Sequence, residues 1–315
     1  MLDTVVTRWA HPQMILVATN LSDLDRLMPV AFAQARETGS RLILLHTVSS
    51  TETLTADAAG MPYYDLCGAI ERAEDMLFPW RQQAESLGIK CHSMVRQGRA
   101  VDQILMVARQ FRADRLLLGT RSRSRLTKLL LGSVAEEVLR SVNLPVVTVG
   151  PEAHLLVDGV TARVVLHATT LGETSRPSAA LAYTIAAGQN AKLALLHVLP
   201  PAEGMPSHGQ PICLDSLVLG ELRHLAASIG MEGQVQIESV IGHGDPAIEI
   251  LAQASERHAS LIVLGAVRSS SLARITRDHI IYRVLAHARC PVLTLSEPMH
   301  PIAQDVSDRA QILHR

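Results

Sequence analysis

The sequence predicts an α/β protein built from two tandem domains, each a doubly wound parallel sheet of five strands. The chain has 315 residues, about twice the length of a usual single domain. Short apolar runs alternate along it with amphipathic stretches, which is typical of strands and helices that alternate in a parallel sheet. The second half of the sequence also repeats the pattern of the first half, and such an internal repeat indicates duplicated domains.

The repeat consists of segments that recur in the same order in both halves. From Gly98 and Gly244 onward the two copies keep a constant separation of 146 residues. The matching segments are 15–20 (ILVATN) with 165–170 (VLHATT), 41–46 (RLILLH) with 192–197 (KLALLH), 114–119 (DRLLLG) with 260–265 (SLIVLG), and 136–149 (EEVLRSVNLPVVTV) with 282–295 (YRVLAHARCPVLTL). We therefore expect domains at 1–150 and 163–298, a linker at 151–162 and a tail at 299–315.

Each element of the first half has its own sequence signal. Strands are predicted from short continuous apolar runs, as expected where helices cover both faces of a sheet, at 14–19, 41–48, 90–96, 114–119 and 145–149. Helices are predicted between them at 23–38, 65–87, 99–112 and 132–142. Segments 49–64 and 199–212 lack periodicity, and we expect irregular loops there.

The last strand of each half is an apolar edge. Segments 144–149 (LPVVTV) and 290–295 (CPVLTL) carry few polar residues, and a bare edge invites pairing with another strand. We expect these two strands to lie together, so that the halves pack within one chain as a pseudo-symmetric dimer. A homodimer of whole chains stays open.

Composition excludes several classes of function. A net charge of −1 and an aromatic content of 3% argue against a nucleic-acid binder, which needs a basic field or stacking platforms. Cys67, Cys91, Cys213 and Cys290 show no CxxC pairing or regular spacing. We expect neither a signal peptide nor a membrane span, because the first residues lack an uninterrupted apolar stretch and the sequence has no apolar run of about 18 residues without charge, Pro or Asn. We expect a cytoplasmic protein without membrane contact. Its histidines and cysteines lack the spacing of a metal site.

Residues 116–139 (LLLGTRSRSRLTKLLLGSVAEEVL) carry the main functional signal. An apolar strand stops at Gly119, and Gly132 and Ser133 open a helix whose N–H groups and dipole favour a phosphate. Gly119 lacks a Cβ, so a ligand can approach the backbone and φ can be positive. The alternative is that Gly119 turns the chain and Ser133 caps a helix. The cations between them, Arg121, Arg123, Arg125 and Lys128, are more typical of a solvated loop face than of four ligands.

The topology places this segment where a ligand is expected. Open α/β sheets bind ligands beyond the carboxyl ends of their strands, where the strand order reverses. In a five-stranded flavodoxin-like order the first strand lies between the second and the fourth, so Asn20 and Gly119 meet across one crevice. His46 and His197 end matching strands, and we expect them to stabilise the fold rather than act as catalytic bases.

The spacing G119-T-R-S122, nine residues, G132-S133 resembles the G-x2-G-x9-G-[ST] signature of the universal stress protein family. The resemblance extends over both halves and nearly the whole chain. ATP-binding members of that family hold the triphosphate and ribose on this loop, and the adenine near the ends of the first two strands. The resemblance implies ATP, with or without Mg²⁺, on Thr19, Asn20, Thr47, Gly119, Arg121, Ser122, Gly132, Ser133 and Val134.

Several positions depart from the signature. The family usually has Asp where Asn20 stands, and its second glycine is Ser122 here. The second half reads G265-A-V-R268, nine residues, D278-H279, and its first strand ends at Thr170. Asp278 at a helix start would repel a phosphate. We therefore expect at most one nucleotide per chain, bound by the first half.

Taken with the resemblance, these features favour an ATP-binding, non-enzymatic stress-response or signalling protein whose state is read by a protein partner. Slow ATP hydrolysis stays open, although the sequence offers no general base. The alternative is an interaction protein that keeps the fold without nucleotide, which Asn20 and Ser122 favour and Gly119, Gly132 and Ser133 oppose. An adenylating enzyme of the wider α/β group would carry an SGGxDS loop or an HxGH-type motif, and neither occurs.

Overall fold

The computed structural model of the chain describes residues 2–49, 53–56, 60–120, 132–153, 163–172, 175–199, 214–230, 234–267 and 280–297. Its helices are α1 (Leu2–Ala10), α2 (Leu24–Thr38), α3 (Leu66–Ser86), α4 (Ala100–Gln110), α5 (Ser133–Ser141), α6 (Ser175–Gly188), α7 (Leu214–Ile229), α8 (Pro246–Glu256) and α9 (Ile280–His287). Its strands are β1 (Met14–Thr19), β2 (Arg41–Val48), β3 (Leu54–Ala56), β4 (Pro62–Tyr64), β5 (Cys91–Gln97), β6 (Arg115–Gly119), β7 (Val146–Val149), β8 (Val164–Ala168), β9 (Lys192–Leu199), β10 (Ile237–His243), β11 (Leu261–Val267) and β12 (Val292–Glu297). The strands and helices predicted for the first half are confirmed, with ends that shift by about one or two residues.

Within the described residues, ten strands form one sheet in the order β10-β9-β8-β11-β12-β7-β6-β1-β2-β5. The strands of each half run parallel to one another, with β1 between β2 and β6, and β8 between β9 and β11. Each half is therefore the predicted five-stranded parallel sheet, and its first strand lies between the second and the fourth. The fold class is confirmed.

The two parallel sheets join through their last strands. β7 and β12 pair antiparallel. Thr148 Oγ1 donates to the Val292 carbonyl at 3.2 Å, and Thr294 Oγ1 donates to the Val146 carbonyl at 3.3 Å. Because Thr148 and Thr294 are counterparts in the repeat, these are the same contact made from each side. The predicted pairing of the two apolar edges, and with it the pseudo-dimer, is confirmed.

The sheet carries helices on both faces. One face has a single hydrophobic core that runs through both halves, under α1, α2, α3, α6 and α7. The opposite face has one core under α4 and α5 and another under α8 and α9. The halves therefore share an apolar layer as well as a strand pair.

The sequence reading did not include helix α1. Its Val6 and Trp9 are buried in the shared core, and the helix packs on α6 of the second half. Arg8 Nε donates to Asp114 Oδ1 at 2.5 Å, and the Trp9 carbonyl accepts from Arg115 Nη2 at 2.6 Å. This helix thus ties the start of β6 to the second half.

Residues 49–64 also differ from the expectation of an irregular loop. β3 and β4 pair as a short antiparallel hairpin, with Leu54 opposite Tyr64. Strands of three residues are too short to show an alternating pattern, which explains the wrong prediction. The counterpart segment 199–212 begins in β9, and its remainder lies outside the described residues, as do most of the linker and the tail.

Candidate functional site

The candidate site lies where the strand order of the first half reverses. β1 separates β2 from β6, and the carboxyl ends of these three strands meet the start of α5 around a cavity of about 290 Å³. The cavity is lined by Ala18, Thr19, Asn20, Asp23, Leu45, His46, Thr47, Ser49, Ala100, Ile104, Leu118, Gly119, Gly132, Ser133, Val134 and Ala135.

Most of the predicted contact residues come together here. Those that line the cavity are Thr19, Asn20, Thr47, Gly119, Gly132, Ser133 and Val134. Arg121 and Ser122 lie outside the described residues, together with the other loop cations, Arg123, Arg125 and Lys128.

Side chains hold the turn after β1 in place. Thr19 Oγ1 accepts from the Leu21 N–H at 2.9 Å and donates to Asp23 Oδ1 at 2.6 Å. Leu21 has a φ of 69°, a conformation that costs a residue with a Cβ about 1–2 kcal/mol. His46 Nδ1 hydrogen-bonds the Thr19 carbonyl at 3.0 Å, which fits its expected structural role. The Thr19 hydroxyl is therefore engaged within the turn itself.

Asn20 takes part in the same turn. Its Oδ1 accepts from the N–H of Ser22 at 3.0 Å and from the Ser22 hydroxyl at 2.7 Å. An amide at this position supplies the acceptor that the turn uses without a negative charge. A phosphate near Asn20 consequently meets less repulsion than it would beside Asp.

Asp23 is a member of the site that the sequence reading missed. Its side chain is buried, and this burial raises the pKa of the carboxyl, while the hydrogen bond from Thr19 offsets part of the rise. A Cβ on Gly119 would lie 2.1 Å from Asp23 Oδ2. A Cβ at position 119 would therefore force this carboxyl to move, and Gly119 does not use the positive φ that glycine allows.

The sequence position of Asp23 suggested a helix cap rather than a site residue. Asp23 lies directly before α2, where an Asp is normally interpreted as a helix cap. Its side chain makes no capping hydrogen bond. The carboxyl instead faces the backbone of β6, a contact between segments far apart in the chain.

The start of α5 has the anion-binding features that the sequence predicted. The Gly132 N–H donates to the Thr120 carbonyl at 2.9 Å, and the helix begins at Ser133. The first N–H groups of a helix have no intrahelical acceptor, and Ser133 and Val134 line the cavity. Such a helix start favours an anion. Gly132 has φ −61° and ψ 141°, a conformation open to any residue.

An ion pair fixes α5 against α4. Arg99, which precedes α4, donates through Nη2 to both carboxylate oxygens of Glu137 at 2.5 and 2.6 Å. The second half has the same pair with its charges reversed, because Asp245 stands where Arg99 does and accepts from Arg283 Nη1 at 2.6 Å. Asp245 also caps α8 by accepting from the Ile248 N–H at 2.9 Å. Its bonds to Arg283 and to this N–H lower the pKa of Asp245.

The turn after the first strand is repeated in the second half. Thr169 Oγ1 accepts from the Leu171 N–H at 3.0 Å, and Leu171 has a φ of 61°. His197 Nδ1 hydrogen-bonds the Thr169 carbonyl at 2.9 Å. The Thr170 hydroxyl lies 3.2 Å from that of Ser175. Both histidines therefore fix the turn that follows a first strand, as expected of residues that stabilise the fold.

The halves differ where the site opens. In the first half, the β6–β7 pairing ends at Gly119 opposite Val149. In the second, the equivalent pair, Gly265 opposite Leu295, is followed by two further pairs that carry β11 to Val267. Strand β11 therefore stays in the sheet for two residues beyond the point at which β6 ends. Residues 268–279, which include Asp278 and His279, lie outside the described residues.

Two features are absent from the part of the chain that the structure describes. Among the described residues, no group of three or more His, Cys, Asp and Glu side chains is placed to hold a metal ion. The helices that the structure describes are too short or too polar to cross a membrane.

Comparison with known proteins gives consistent results for both halves. The model of the universal stress protein family matches residues 12–150 and again residues 161–296. A universal stress protein of Thermus aquaticus is 32% identical over 140 residues, which covers 43% of this chain and 96% of that protein. One of Methanocaldococcus jannaschii is 33% identical over 79 residues, 25% of this chain, and the match spans 46% of its length. The crystal structure of a universal stress protein from Archaeoglobus fulgidus superposes with a TM-score of 0.66 at 20% identity, over 91% of this chain and 99% of that one.

Proposed function

The chain belongs to the universal stress protein family, as two tandem copies of its domain, and from this premise we propose that its first half binds ATP, with or without Mg²⁺, as a signal to a protein partner. The observation that carries the proposal is the start of α5, where Ser133 and Val134 line the same cavity as Gly119 and the ends of β1 and β2. Helix starts at such crevices hold phosphates. The apolar lining of Ala18, Leu45 and Leu118 suits an adenine ring.

We propose one nucleotide per chain. In the first half β6 ends at Gly119, whereas β11 stays paired with β12 through Val267. Asp278 corresponds in sequence to Gly132, and an Asp at such a helix start repels a phosphate. Both differences favour the first half.

The proposal is for binding rather than turnover. Within the described lining the one carboxyl belongs to Asp23, which is bound by the Thr19 hydroxyl and packed against Gly119. A general base has to reach the attacking water, and Asp23 is committed to the turn. We expect hydrolysis at least about 100-fold slower than the 1 s⁻¹ that marks the slower end of typical enzymes.

The second candidate function is an interaction protein that keeps the fold and binds no nucleotide. Asp23 favours it, because this carboxyl lies in the cavity beside the strand end where a phosphate loop begins. The Asn20 oxygen already accepts two hydrogen bonds from Ser22, so it is not available to accept one from a ligand. Direct measurement of ATP binding separates the two functions.

The test is a pair of variants at one position that differ in charge alone. Gly132→Asp and Gly132→Asn both place a good capping residue before α5, so neither is expected to destabilise the helix. The Asp carboxylate at about 4 Å from a phosphate costs on the order of 4 kcal/mol at an effective dielectric constant of 20. We therefore expect Gly132→Asp to weaken ATP binding by more than about 100-fold, and Gly132→Asn to retain most of it.

Isothermal titration with ATP and MgATP, together with phosphate release by the wild type, provides the measurement. One site per chain in the wild type and the Asn variant, with none in the Asp variant, supports the proposal. Two sites per chain, or undiminished binding by Gly132→Asp, contradicts it. An absence of binding by the wild type favours the nucleotide-independent function.

A further inference from the structure

A second cavity, of about 400 Å³, lies at the junction of the two halves. We call it the seam cavity; α2 lines one side and α6 the other, over the starts of β6, β11 and β12. It shares no lining residue with the candidate nucleotide cavity. Its volume falls in the range of sites for small organic molecules.

The halves contribute unlike residues at equivalent positions of the seam cavity. Arg115 begins β6, and its counterpart Leu261 begins β11. Gln34 of α2 corresponds to Ile185 of α6, and all four residues line the cavity. The wall from the first half is therefore polar where the wall from the second half is apolar.

Cationic groups outnumber carboxylates in this lining. Arg36, Arg115 and Arg163 face a single carboxylate, that of Glu37, within the described lining. Arg163 pairs with Glu37, which also accepts from Gln189 Nε2 at 2.8 Å. Arg36 is exposed and has no ion pair with the described residues. Within the described lining, one carboxylate therefore accompanies three guanidinium groups.

Arg115 is the most buried of the three. It is 4% exposed, and its hydrogen bonds go to uncharged acceptors, Gln34 Oε1 at 2.9 Å and the Trp9 carbonyl at 2.6 Å. Asp114 next to it is already bound by Arg8 and by two main-chain N–H groups. Burial lowers the pKa of Arg115 to about 10, and the charges of Glu37 and Asp114 offset part of this lowering.

We infer that the seam cavity binds a small amphipathic anion. Its carboxylate or phosphate group lies on the side of Arg36 and Arg115, and its apolar body lies against Ile185 and Leu261. Guanidinium groups form strong, charge-assisted hydrogen bonds with either kind of oxyanion. Burial of the apolar body adds stabilisation in proportion to the area removed from water. This ligand is independent of the nucleotide proposed for the first half.

The test uses the full chain and four small probes at constant ionic strength. Benzoate and phenylphosphonate carry the two acid groups on the same ring, benzamide is a neutral analogue, and inorganic phosphate has no apolar body. At ten times its dissociation constant, a bound probe is expected to raise the midpoint of thermal unfolding by about 2–4 °C. We expect this from one or both ring acids, and the tighter of them identifies the acid group. Benzamide and inorganic phosphate are expected to leave the midpoint unchanged.

Variants locate the binding. Arg36→Gln is expected to weaken the ring acids about tenfold, whereas Arg109→Gln, the same change at an exposed site on α4, leaves them unaffected. Ala33→Phe fills the cavity and is expected to abolish the shift while the protein stays folded. Gly132→Asp should preserve the shift, which separates this site from the nucleotide cavity. The inference is overturned by no shift with any probe, by equal shifts with benzamide or inorganic phosphate, or by equal effects of Arg36→Gln and Arg109→Gln.

Discussion

The two halves keep the same turn after their first strand but end the fourth strand differently. Thr19 and Thr169 make the same bond to the N–H of a leucine with positive φ, and a histidine from the next strand holds each turn. Farther along, β6 stops at Gly119, whereas β11 continues in the sheet. The turn therefore belongs to the framework of the fold, and the end of the fourth strand, which borders the candidate cavity in the first half, is where the described halves differ.

This comparison changes the interpretation of individual residues. A strained leucine that recurs in both halves, at Leu21 and Leu171, is maintained by the framework bonds around it. Asp23 with Gly119 is a contact inside the candidate cavity of the first half, and position 173, the counterpart of Asp23, lies outside the described residues. Features found in both halves explain the fold, whereas a contact that lies in the candidate cavity is a better guide to function.

The largest expected effect concerns a histidine in the framework. Val17 in β1 and His167 in β8 occupy equivalent positions, and both side chains are fully buried. His167 Nδ1 hydrogen-bonds the Val263 carbonyl at 3.0 Å, and Nε2 has no hydrogen-bond partner among the described residues. Burial lowers the pKa of His167 from 6.5 to about 4. Between pH 6.5 and about 4, His167 is therefore protonated in the unfolded chain and neutral in the folded chain.

Because the folded pKa is the lower one, the stability is fully present above pH 6.5 and is lost as the pH falls toward about 4. The loss amounts to about 3 kcal/mol over this window. His167→Val, which copies the first half, should abolish this part of the pH dependence in urea unfolding at pH 7 and pH 4.5. His224→Val, at an exposed site on α7, is the control. An unchanged dependence in His167→Val would contradict the prediction.

The next effect tests why position 119 is glycine. Gly119→Ala places a methyl group 2.1 Å from Asp23 Oδ2, and such overpacking costs about 1–3 kcal/mol. Asp23→Ala removes the obstacle, so the double variant should lose less stability than the sum of the two single variants. A double-mutant cycle by urea unfolding measures the difference. Strict additivity would show that Gly119 is required for another reason.

The sequence was sufficient for the architecture because the signals were local. Apolar runs predicted the strands and helical spacing predicted the helices of the first half. The internal repeat then predicted the equivalent elements of the second half. Helix α1 was missed although Val5, Val6 and Trp9 recur at helical spacing. Helix α1 is stabilised by packing on α6 of the other half, and a local sequence pattern contains no information about that contact.

The site was predictable to the extent that it follows from strand order. Parallel topology brings the ends of β1 and β6 together, so Asn20 and Gly119 were placed correctly at one cavity. Asp23 was not, because its partner at Gly119 is 96 residues away and its local context suggests a helix cap. Contacts of this kind depend on tertiary packing.

The smallest expected effect concerns the ion pair that is reversed between the halves. Arg99 with Glu137 and Asp245 with Arg283 join equivalent helices with opposite charges. The position therefore requires complementarity rather than a particular sign. Arg99 and Glu137 have side chains that are 60% and 40% exposed, so their pair contributes at most about 1 kcal/mol.

Exchanging the charges of the first pair tests this directly. Arg99→Asp and Glu137→Arg each place like charges together and should each lose the pair, whereas the double variant restores it in the form found in the second half. Asp at position 99 also gains a capping bond of the kind Asp245 makes to Ile248. It loses the exposed pair of Arg99 with Asp102 at 3.5 Å, so the double variant should lie close to the wild type in stability. A double-mutant cycle at low salt should give a coupling of about 0.5–1 kcal/mol that shrinks in 1 M salt. A coupling near zero at low salt would mean that the reversed pairs are unrelated surface contacts.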